Sequence, residues 1–121
     1  DVQILADRIT ASIKQFALEY GREPEVWFEP GKFLVSDAGI LLVKANVLKK
    51  TPATTFVGVD SGLNHLIRPM MYNAYHEIVN ASNTEAEKEE YSIVGYICET
   101  DTFGWKRMLS TVKEGHILAL L

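Results

Sequence analysis

The segment at residues 26–32, Val-Trp-Phe-Glu-Pro-Gly-Lys, constrains the fold more than any other part of the sequence. Its apolar run, with two aromatic residues, predicts a buried strand that ends at Glu29. Pro30 has no amide hydrogen to donate to a sheet, and Gly31 allows a tight turn or the close approach of a ligand. A carboxylate at the end of a buried strand needs a cation or a hydrogen-bond donor. Glu29 therefore either meets a ligand at the edge of a sheet or lies in water after an ordinary strand.

Composition restricts the classes of function. The 121 residues suit one small domain, and the 47% share of hydrophobic residues can supply a core. The net charge of −4 without a basic stripe argues against nucleic acid or an anionic membrane as a partner. Cys98 is the single cysteine, so no internal disulfide framework can form. No apolar run approaches the roughly 20 residues of a membrane span and no secretory signal opens the chain, so we expect a cytoplasmic location.

The first twenty residues predict an amphipathic helix. Apolar side chains recur at steps of three and four and form one stripe: Val2, Leu5, Ile9, Ile13, Phe16 and Tyr20. Gly21 suits the left-handed position after a helix. A helix followed by a strand buried on both faces is one step of a parallel α/β fold. The sequence lacks an initiator Met and stops in the apolar residues 116–121, so we expect a fragment of a longer protein.

The remainder of the chain predicts a β domain. Residues 33–38 indicate a short helix, and the boundary between the two parts falls near residues 31–39. The predicted strands cover residues 40–48, 54–59, 75–79, 91–97, 105–109 and 117–121. The polar residues 80–90 indicate a solvated hairpin loop. The fold class expected is α+β, mainly β, with an antiparallel sheet or barrel.

Arg68 and Tyr72 are candidates for binding an anion. Pro69 biases Arg68 away from helical conformation and can hold its side chain in a fixed direction. The planar guanidinium can bond both oxygens of a carboxylate or phosphate, and the Tyr72 hydroxyl could join it. The alternative is that Arg68 pairs with a surface acid.

Cys98 follows the end of a predicted strand, where loops commonly present reactive groups. Glu99 and Asp101 flank it, and their negative charge disfavours a thiolate, so the thiol suits proton donation better than nucleophilic attack. The alternative is a small buried hydrophobic residue. The histidines His65, His76 and His116 show no metal-ligand spacing with Cys98, so we predict no metal, and His76 is expected to be structural.

Five motifs occur together in a family-like order and spacing. They are Glu-Pro-Gly-Lys at 29–32, Val-Asp-Ser-Gly-Leu-Asn at 59–64, Arg-Pro-Met-Met-Tyr at 68–72, Tyr-His at 75–76 and Cys-Glu-Thr-Asp at 98–101. With these motifs the chain resembles the C-terminal part of the diaminopimelate decarboxylase family, within the alanine-racemase-like, fold-type III pyridoxal 5'-phosphate (PLP) enzymes. The resemblance runs almost from end to end.

The resemblance implies a domain organisation. Family members have a (β/α)8 barrel that binds PLP, followed by a Greek-key-like β-barrel or sandwich domain, and a homodimer shares the site across its subunits. Residues 1–31 would be the last helix and strand of that barrel. Residues 32–121 would be the β domain, truncated at its end.

The resemblance also implies roles at the cofactor. Glu29 would face the pyridine nitrogen of PLP and keep it protonated, so that the ring withdraws electrons as CO2 departs. Gly31 would offer its amide to the phosphate. Lys32 stands where Arg is commoner, and without the bidentate fork it would contact the phosphate or the substrate carboxylate as a point charge.

On the same resemblance, Arg68 and Tyr72 would hold the distal carboxylate of diaminopimelate. Cys98 and Glu99 would enter the neighbouring subunit's site, where Cys98 helps deliver a proton to the α-carbon and Glu99 recognises the distal ammonium. Relatives that act on precursors of diamines, such as ornithine, typically carry Asp after this Cys. Glu99 therefore favours diaminopimelate as the substrate.

The family's Schiff-base lysine, its glycine-rich phosphate loop and a late Gly-Ala-Tyr motif have no counterpart in this sequence. We therefore expect the full protein to release CO2 from meso-2,6-diaminopimelate and form L-lysine, and this chain alone to be inactive. The alternatives are a decarboxylase of another basic amino acid or of carboxynorspermidine, and a non-catalytic β-domain module for dimerisation. The single strand at residues 26–29 argues against the module. Self-association is expected through two exposed strand edges, at residues 26–28 and 117–121.

Overall fold

The computed structural model describes all of residues 1–121, which divide into two compact units, Asp1–Leu34 and Val35–Leu121. Helical segments are α1 (Val2–Tyr20), α2 (Gly31–Val35), a 3-10 turn (Ser36–Ala38) and α3 (Arg68–Tyr72). The strands are β1 (Leu41–Lys50), β2 (Thr55–Val59), β3 (Ile78–Asn80), β4 (Lys88–Val94), β5 (Thr102–Ser110) and β6 (Ile117–Leu120). The helical segment predicted at residues 33–38 is therefore present as α2 and the turn after it.

The predicted first helix is confirmed as α1, and both of its ends are capped. The Asp1 side chain accepts the Gln3 N–H at 2.8 Å, which satisfies one of the free amides of the first turn. Gly21 takes the left-handed conformation with φ of 72°, and its N–H donates to the Ala17 carbonyl. No residue of α1 is fully buried within this chain, so the unit Asp1–Leu34 covers its apolar stripe only in part.

The buried strand predicted at residues 26–29 is not formed. These residues have no strand assignment, and Trp27 and Phe28 are 86% and 62% exposed. A strand needs a neighbour that accepts its backbone hydrogen bonds, and no segment of this chain pairs with these residues. The apolar pattern correctly marks residues suited to burial, but the chain supplies nothing to bury them.

The unit Val35–Leu121 is a six-stranded sheet with the order β3-β6-β1-β2-β4-β5. The two end strands, β3 and β5, also contact each other, so the sheet is nearly closed. All ladders are antiparallel except β2 with β4, which is parallel, so the sheet is mixed where a wholly antiparallel one was predicted. A parallel pair needs a crossover of a dozen or more residues, and residues 60–87 provide it.

The core of the sheet unit confirms the mainly β fold. β1 buries alternate side chains, Val43 and Ala45, as expected for a strand with one face covered. Ile93, Phe103 and Leu118 are among the largest side chains that are wholly buried. The core therefore forms between strands that are distant in sequence.

Two predictions about the strands are wrong. Residues 80–90 are not a hairpin loop, because β3 pairs with β6 whereas β4 pairs with β2 and β5. Residues 117–121 are not an exposed edge, because β6 pairs with both β1 and β3. The self-association expected through that edge therefore has no unpaired strand to use. No helix of the structure has the length and apolar character needed to cross a membrane.

Candidate functional site

Within the unit Asp1–Leu34, the residues predicted to bind the cofactor lie close together in sequence and are open. The Glu29 carboxylate and the Lys32 ammonium are exposed and make no hydrogen bond or ion pair with this chain. The Gly31 N–H donates to the Glu29 carbonyl at 2.9 Å, and a Cβ built on Gly31 would meet nothing within 4 Å. An acid, an uncovered glycine backbone and a cation in four residues fit the ring nitrogen and the phosphate of PLP.

In the sheet unit, α3 presents the predicted anion-binding pair. Arg68 and Tyr72 are four residues apart, so they share one face of this short helix. The Arg68 guanidinium forms no ion pair, so the alternative of a surface acid partner is not seen. The Tyr72 ring is exposed. Both side chains are therefore available to a ligand.

The expectation that Pro69 keeps Arg68 out of helical conformation is wrong. Arg68 is the first residue of α3, and Pro69 lies in the first turn. A first-turn N–H has no acceptor within a helix, so a proline costs nothing there. The helix ends at Asn73, whose left-handed conformation with φ of 50° lets its N–H donate to the Arg68 carbonyl.

The loop between β4 and β5 presents Cys98 and Glu99. Cys98 is a free, exposed thiol, so the alternative of a buried hydrophobic residue is wrong. The Glu99 carboxylate is also exposed and makes no hydrogen bond or ion pair within the chain. The strand predicted at residues 91–97 ends earlier, at Val94, and this places both residues well inside the loop.

Asp101, which the sequence marked only as an acid beside Cys98, holds this loop. It is 5% exposed, and its two carboxylate oxygens accept the N–H groups of Leu63 at 2.8 Å and Ile97 at 3.0 Å. Its carbonyl accepts the Gly95 N–H at 2.8 Å. Asp101 thus bonds the loop after β2 to the loop that carries Cys98.

A second set of hydrogen bonds joins the same two loops. The Tyr96 N–H donates to the Ser61 carbonyl at 3.2 Å, and the Tyr96 hydroxyl lies 3.1 Å from the Asn64 side-chain nitrogen. Within the loop after β2, Ser61 and His65 form a hydrogen bond of 3.0 Å between Oγ and Nδ1. The loop after β2 leads directly into α3, so the two Tyr96 bonds connect the segments that present the candidate residues.

An open groove of about 600 Å³ lies between α3 and β5. Arg107 lines it, with its guanidinium 3.9 Å from the centre of the Tyr75 ring and an N–H donated to the His76 carbonyl. His76 itself bonds the Leu121 carbonyl through Nδ1 at 2.8 Å, whereas its buried Nε2 has no partner.

No three His, Cys, Asp or Glu side chains converge in a way that could hold a metal ion.

Comparisons of this chain with a family model and with curated proteins both find decarboxylases. A family model described as pyridoxal-dependent decarboxylase, C-terminal sheet domain, matches residues 32–121. The diaminopimelate decarboxylase of Methanocaldococcus jannaschii is 46% identical over 98 residues, covering 80% of this chain and 22% of the relative. That of Methanothermobacter thermautotrophicus is 38% identical over 124 residues, covering 100% of this chain and 29% of the relative.

A solved structure of a diaminopimelate decarboxylase is also similar to this chain. The crystal structure of diaminopimelate decarboxylase from M. jannaschii in complex with L-lysine has a TM-score of 0.78 and 42% identity to this chain. The match covers 96% of this chain and 26% of that one. The chain thus spans less than a third of the length of the curated relatives described above. The family match covers most of the chain and coincides with the sheet, and we conclude that the chain belongs to the pyridoxal-dependent decarboxylases and carries their C-terminal sheet domain.

Proposed function

We propose that the protein containing this chain is a PLP-dependent decarboxylase that converts meso-2,6-diaminopimelate to L-lysine and CO2. The observation that carries the proposal is the 38% identity, over the whole of this chain, to a relative named diaminopimelate decarboxylase. The similar structure solved with L-lysine supports it, because L-lysine is the product this reaction requires. Residues 1–31 would complete a cofactor-binding barrel, and residues 32–121 would form the sheet domain of a cytoplasmic enzyme.

PLP, when bound, supplies a ring that accepts the electron pair left behind as CO2 leaves. Glu29 would hold the proton on the pyridine nitrogen through a charge-assisted hydrogen bond. Gly31 would bring its backbone close to the phosphate, where no side chain of this unit intervenes. Lys32 would place a positive charge near the phosphate or the substrate carboxylate. The exposure of all three and their lack of side-chain partners in the chain support these roles.

The sheet unit would select the substrate. Arg68 and Tyr72 offer a cation and a hydroxyl to the distal carboxylate of diaminopimelate, and Glu99 offers a negative charge to its distal ammonium. Cys98 would deliver a proton to the α-carbon after CO2 has left. We propose that Cys98 and Glu99 act in the site of the partner subunit of a homodimer. Their position in an exposed loop supports this arrangement.

The proposal is tested by assaying the full-length protein with PLP and a panel of substrates: meso-diaminopimelate, ornithine, lysine, arginine and carboxynorspermidine. We expect CO2 and L-lysine from meso-diaminopimelate. Glu99→Asp should raise KM for that substrate, because the shorter side chain withdraws the carboxylate from the distal ammonium. Glu114→Gln, an exposed acid in the turn before β6, is the control. Turnover of another substrate in the panel alone would favour the alternative decarboxylases, and no turnover of any would favour a non-catalytic module.

Two further measurements test the assignments around the cofactor. Glu29→Gln in the full-length enzyme should lower kcat about tenfold to a hundredfold, because it removes a hydrogen bond to a charged group worth about 1.5–3 kcal/mol.

The 121-residue chain alone should form no reducible adduct with PLP at a single lysine, since we propose that the Schiff-base lysine lies outside it. A stoichiometric adduct at one lysine of this chain would contradict that assignment.

A further inference from the structure

Asp101 is a buried acid whose carboxylate is bonded entirely to backbone amides. One oxygen accepts the N–H of Leu63, in the loop after β2, and the other accepts the N–H of Ile97, the residue before Cys98. No Lys, Arg or His side chain forms an ion pair with it. Burying a carboxylate is costly unless donors replace its hydration, and here two distant parts of the chain supply those donors.

The space around this carboxylate is closed by two glycines. A Cβ built on Gly62 would lie 2.6 Å from Oδ2 of Asp101 and 3.1 Å from the end of the Ile97 side chain. A Cβ on Gly95 would overlap the Asp101 carboxylate and lie 2.7 Å from the Ser61 carbonyl oxygen. Neither glycine has a positive φ, so close approach and not backbone conformation requires them. The two loops are therefore fitted around the carboxylate at this point.

The two bonded loops carry all four of the sheet unit's candidate residues. The loop that contains Leu63 continues into α3, which presents Arg68 and Tyr72. The loop that contains Ile97 presents Cys98 and Glu99. A group that fixes one loop against the other also fixes the spacing between the anion-binding pair and the thiol–carboxylate pair.

We propose that Asp101 is a positioning residue that clamps the loop after β2 to the loop carrying Cys98 and Glu99, and so sets the geometry of the substrate-binding residues. The catalytic consequence rests on the proposed function, whereas the clamp itself does not. As a positioning residue, Asp101 would touch neither substrate nor cofactor. It acts through the backbone of Leu63 and Ile97.

Asp101→Asn is the most informative variant. The amide keeps the shape of the side chain and one acceptor oxygen, but its NH2 group must face one of the two backbone N–H donors. Hydrogen exchange of the full-length protein, followed by mass spectrometry, should then be about tenfold or more faster at residues 61–65 and 95–99 together, because a hydrogen bond to a charged group is lost. Exchange of the strands should not change. Glu114→Gln removes the same charge from an exposed turn and should leave both loops as in the wild type.

Gly95→Ala provides a second route to the same loops. It retains Asp101 but places a methyl group where the carboxylate lies, so both loops should loosen as in Asp101→Asn. Equal exchange in wild type and Asp101→Asn, or loosening confined to one loop, would overturn the clamp. Faster exchange throughout the sheet in both variants would also overturn it, because Asp101 would then support the whole fold and not the loops.

The kinetics of the holoenzyme test the consequence. With meso-diaminopimelate, Asp101→Asn should lower kcat/KM about tenfold or more, with KM raised as well as kcat lowered, because the loops carry binding and proton-transfer groups alike. Unchanged kcat and KM in a variant with loosened loops would overturn the positioning role. A wild-type protein that does not decarboxylate the substrate, with loops that still loosen in Asp101→Asn, would refute the proposed function and leave the clamp established.

Discussion

At the scale of single residues, Tyr91 shows how the sheet controls a titratable group. Its ring lies in the core, and its hydroxyl accepts the Val112 N–H at 3.1 Å and donates to the Glu89 carboxylate at 3.3 Å. Burial raises the pKa of Tyr91 above its ordinary value of 10.0, and the neighbouring charge of Glu89 raises it further. The Val112 N–H lowers the pKa, but burial is the larger effect.

This shift predicts a loss of stability in alkali. Because the pKa is higher in the folded state, the neutral phenol contributes stability fully below about pH 10, and this contribution is lost as the pH rises through the folded-state pKa. Tyr91→Phe cannot ionise, but it leaves the Val112 N–H without its acceptor and should cost about 1 kcal/mol at neutral pH. Urea unfolding should be followed from about pH 8 to about pH 12. The difference in the free energy of unfolding between wild type and Tyr91→Phe should become smaller as the pH rises. A constant difference would mean that the pKa of Tyr91 is the same in the folded and unfolded states.

The residues proposed to contact the substrate stood out in the sequence, but Asp101, which we propose positions them, did not. Cys98 and Glu99 stand out because a thiol and an acid follow a run of strand-forming residues, and the structure does present them in an exposed loop. Asp101 acquires its importance from the Leu63 amide, which is 38 positions away. The only related signal in the sequence is the pair of glycines, Gly62 and Gly95, that leave room for the carboxylate. A single sequence does not show which group approaches a glycine, so this signal could not identify Asp101.

At the scale of elements, periodicity predicted which segments form strands better than it predicted their neighbours. The six strands predicted between residues 40 and 121 each have a counterpart, although β3 begins only at Ile78, because alternating or continuous apolar residues require a covered face. The strand predicted at residues 26–29 is the exception. The alternation does not say which strand lies alongside. The sequence alone therefore predicts an exposed edge at residues 117–121, whereas β6 has a neighbour on each side. The parallel pairing of β2 with β4 likewise depends on the crossover and not on either strand's own sequence.

The difference between the elements of the two units predicts different local stabilities. α1 buries none of its residues in this chain, and an isolated helix of about this length is only marginally stable in water. β1, β2 and β4 share a core that excludes water from their hydrogen bonds. In the 121-residue chain, amides of α1 should therefore exchange at least about a hundredfold faster than those of the three strands, as measured by NMR.

Phe103→Ala serves as the companion measurement for that prediction. The side chain is 1% exposed and belongs to the core of the sheet unit, and removing it should cost about 3–5 kcal/mol. Exchange in all strands should then accelerate together, because they unfold as one cooperative core. Protection of α1 equal to that of β1 in the wild-type chain would contradict the stability difference.

At the scale of the whole molecule, the unit Asp1–Leu34 exposes apolar surface that its sequence was suited to bury. An apolar groove of about 550 Å³ runs between the stripe of α1 and the segment after it, lined by Leu5, Ile9, Phe28 and Phe33 among others. Trp27 is the most exposed of the large apolar side chains. The sequence predicted a strand here from the same residues. Their burial requires neighbouring segments that this chain does not contain. The apolar pattern was therefore interpreted correctly as suited to burial, and the wrong part of the prediction was that this chain buries it.

We therefore predict that the 121-residue chain self-associates through residues 26–28, and not through β6. Light scattering over a range of concentrations should give a mass that rises from 13.6 kDa toward multiples of it. Trp27→Ser should weaken the association on the order of tenfold or more, because it removes a large apolar contact from the surface. Trp105→Ser is the matched control: this side chain is also exposed, but it lies on β5, where it packs edge-on against Phe56. A constant mass of 13.6 kDa, or an equal effect of both substitutions, would show that the exposed segment does not drive assembly.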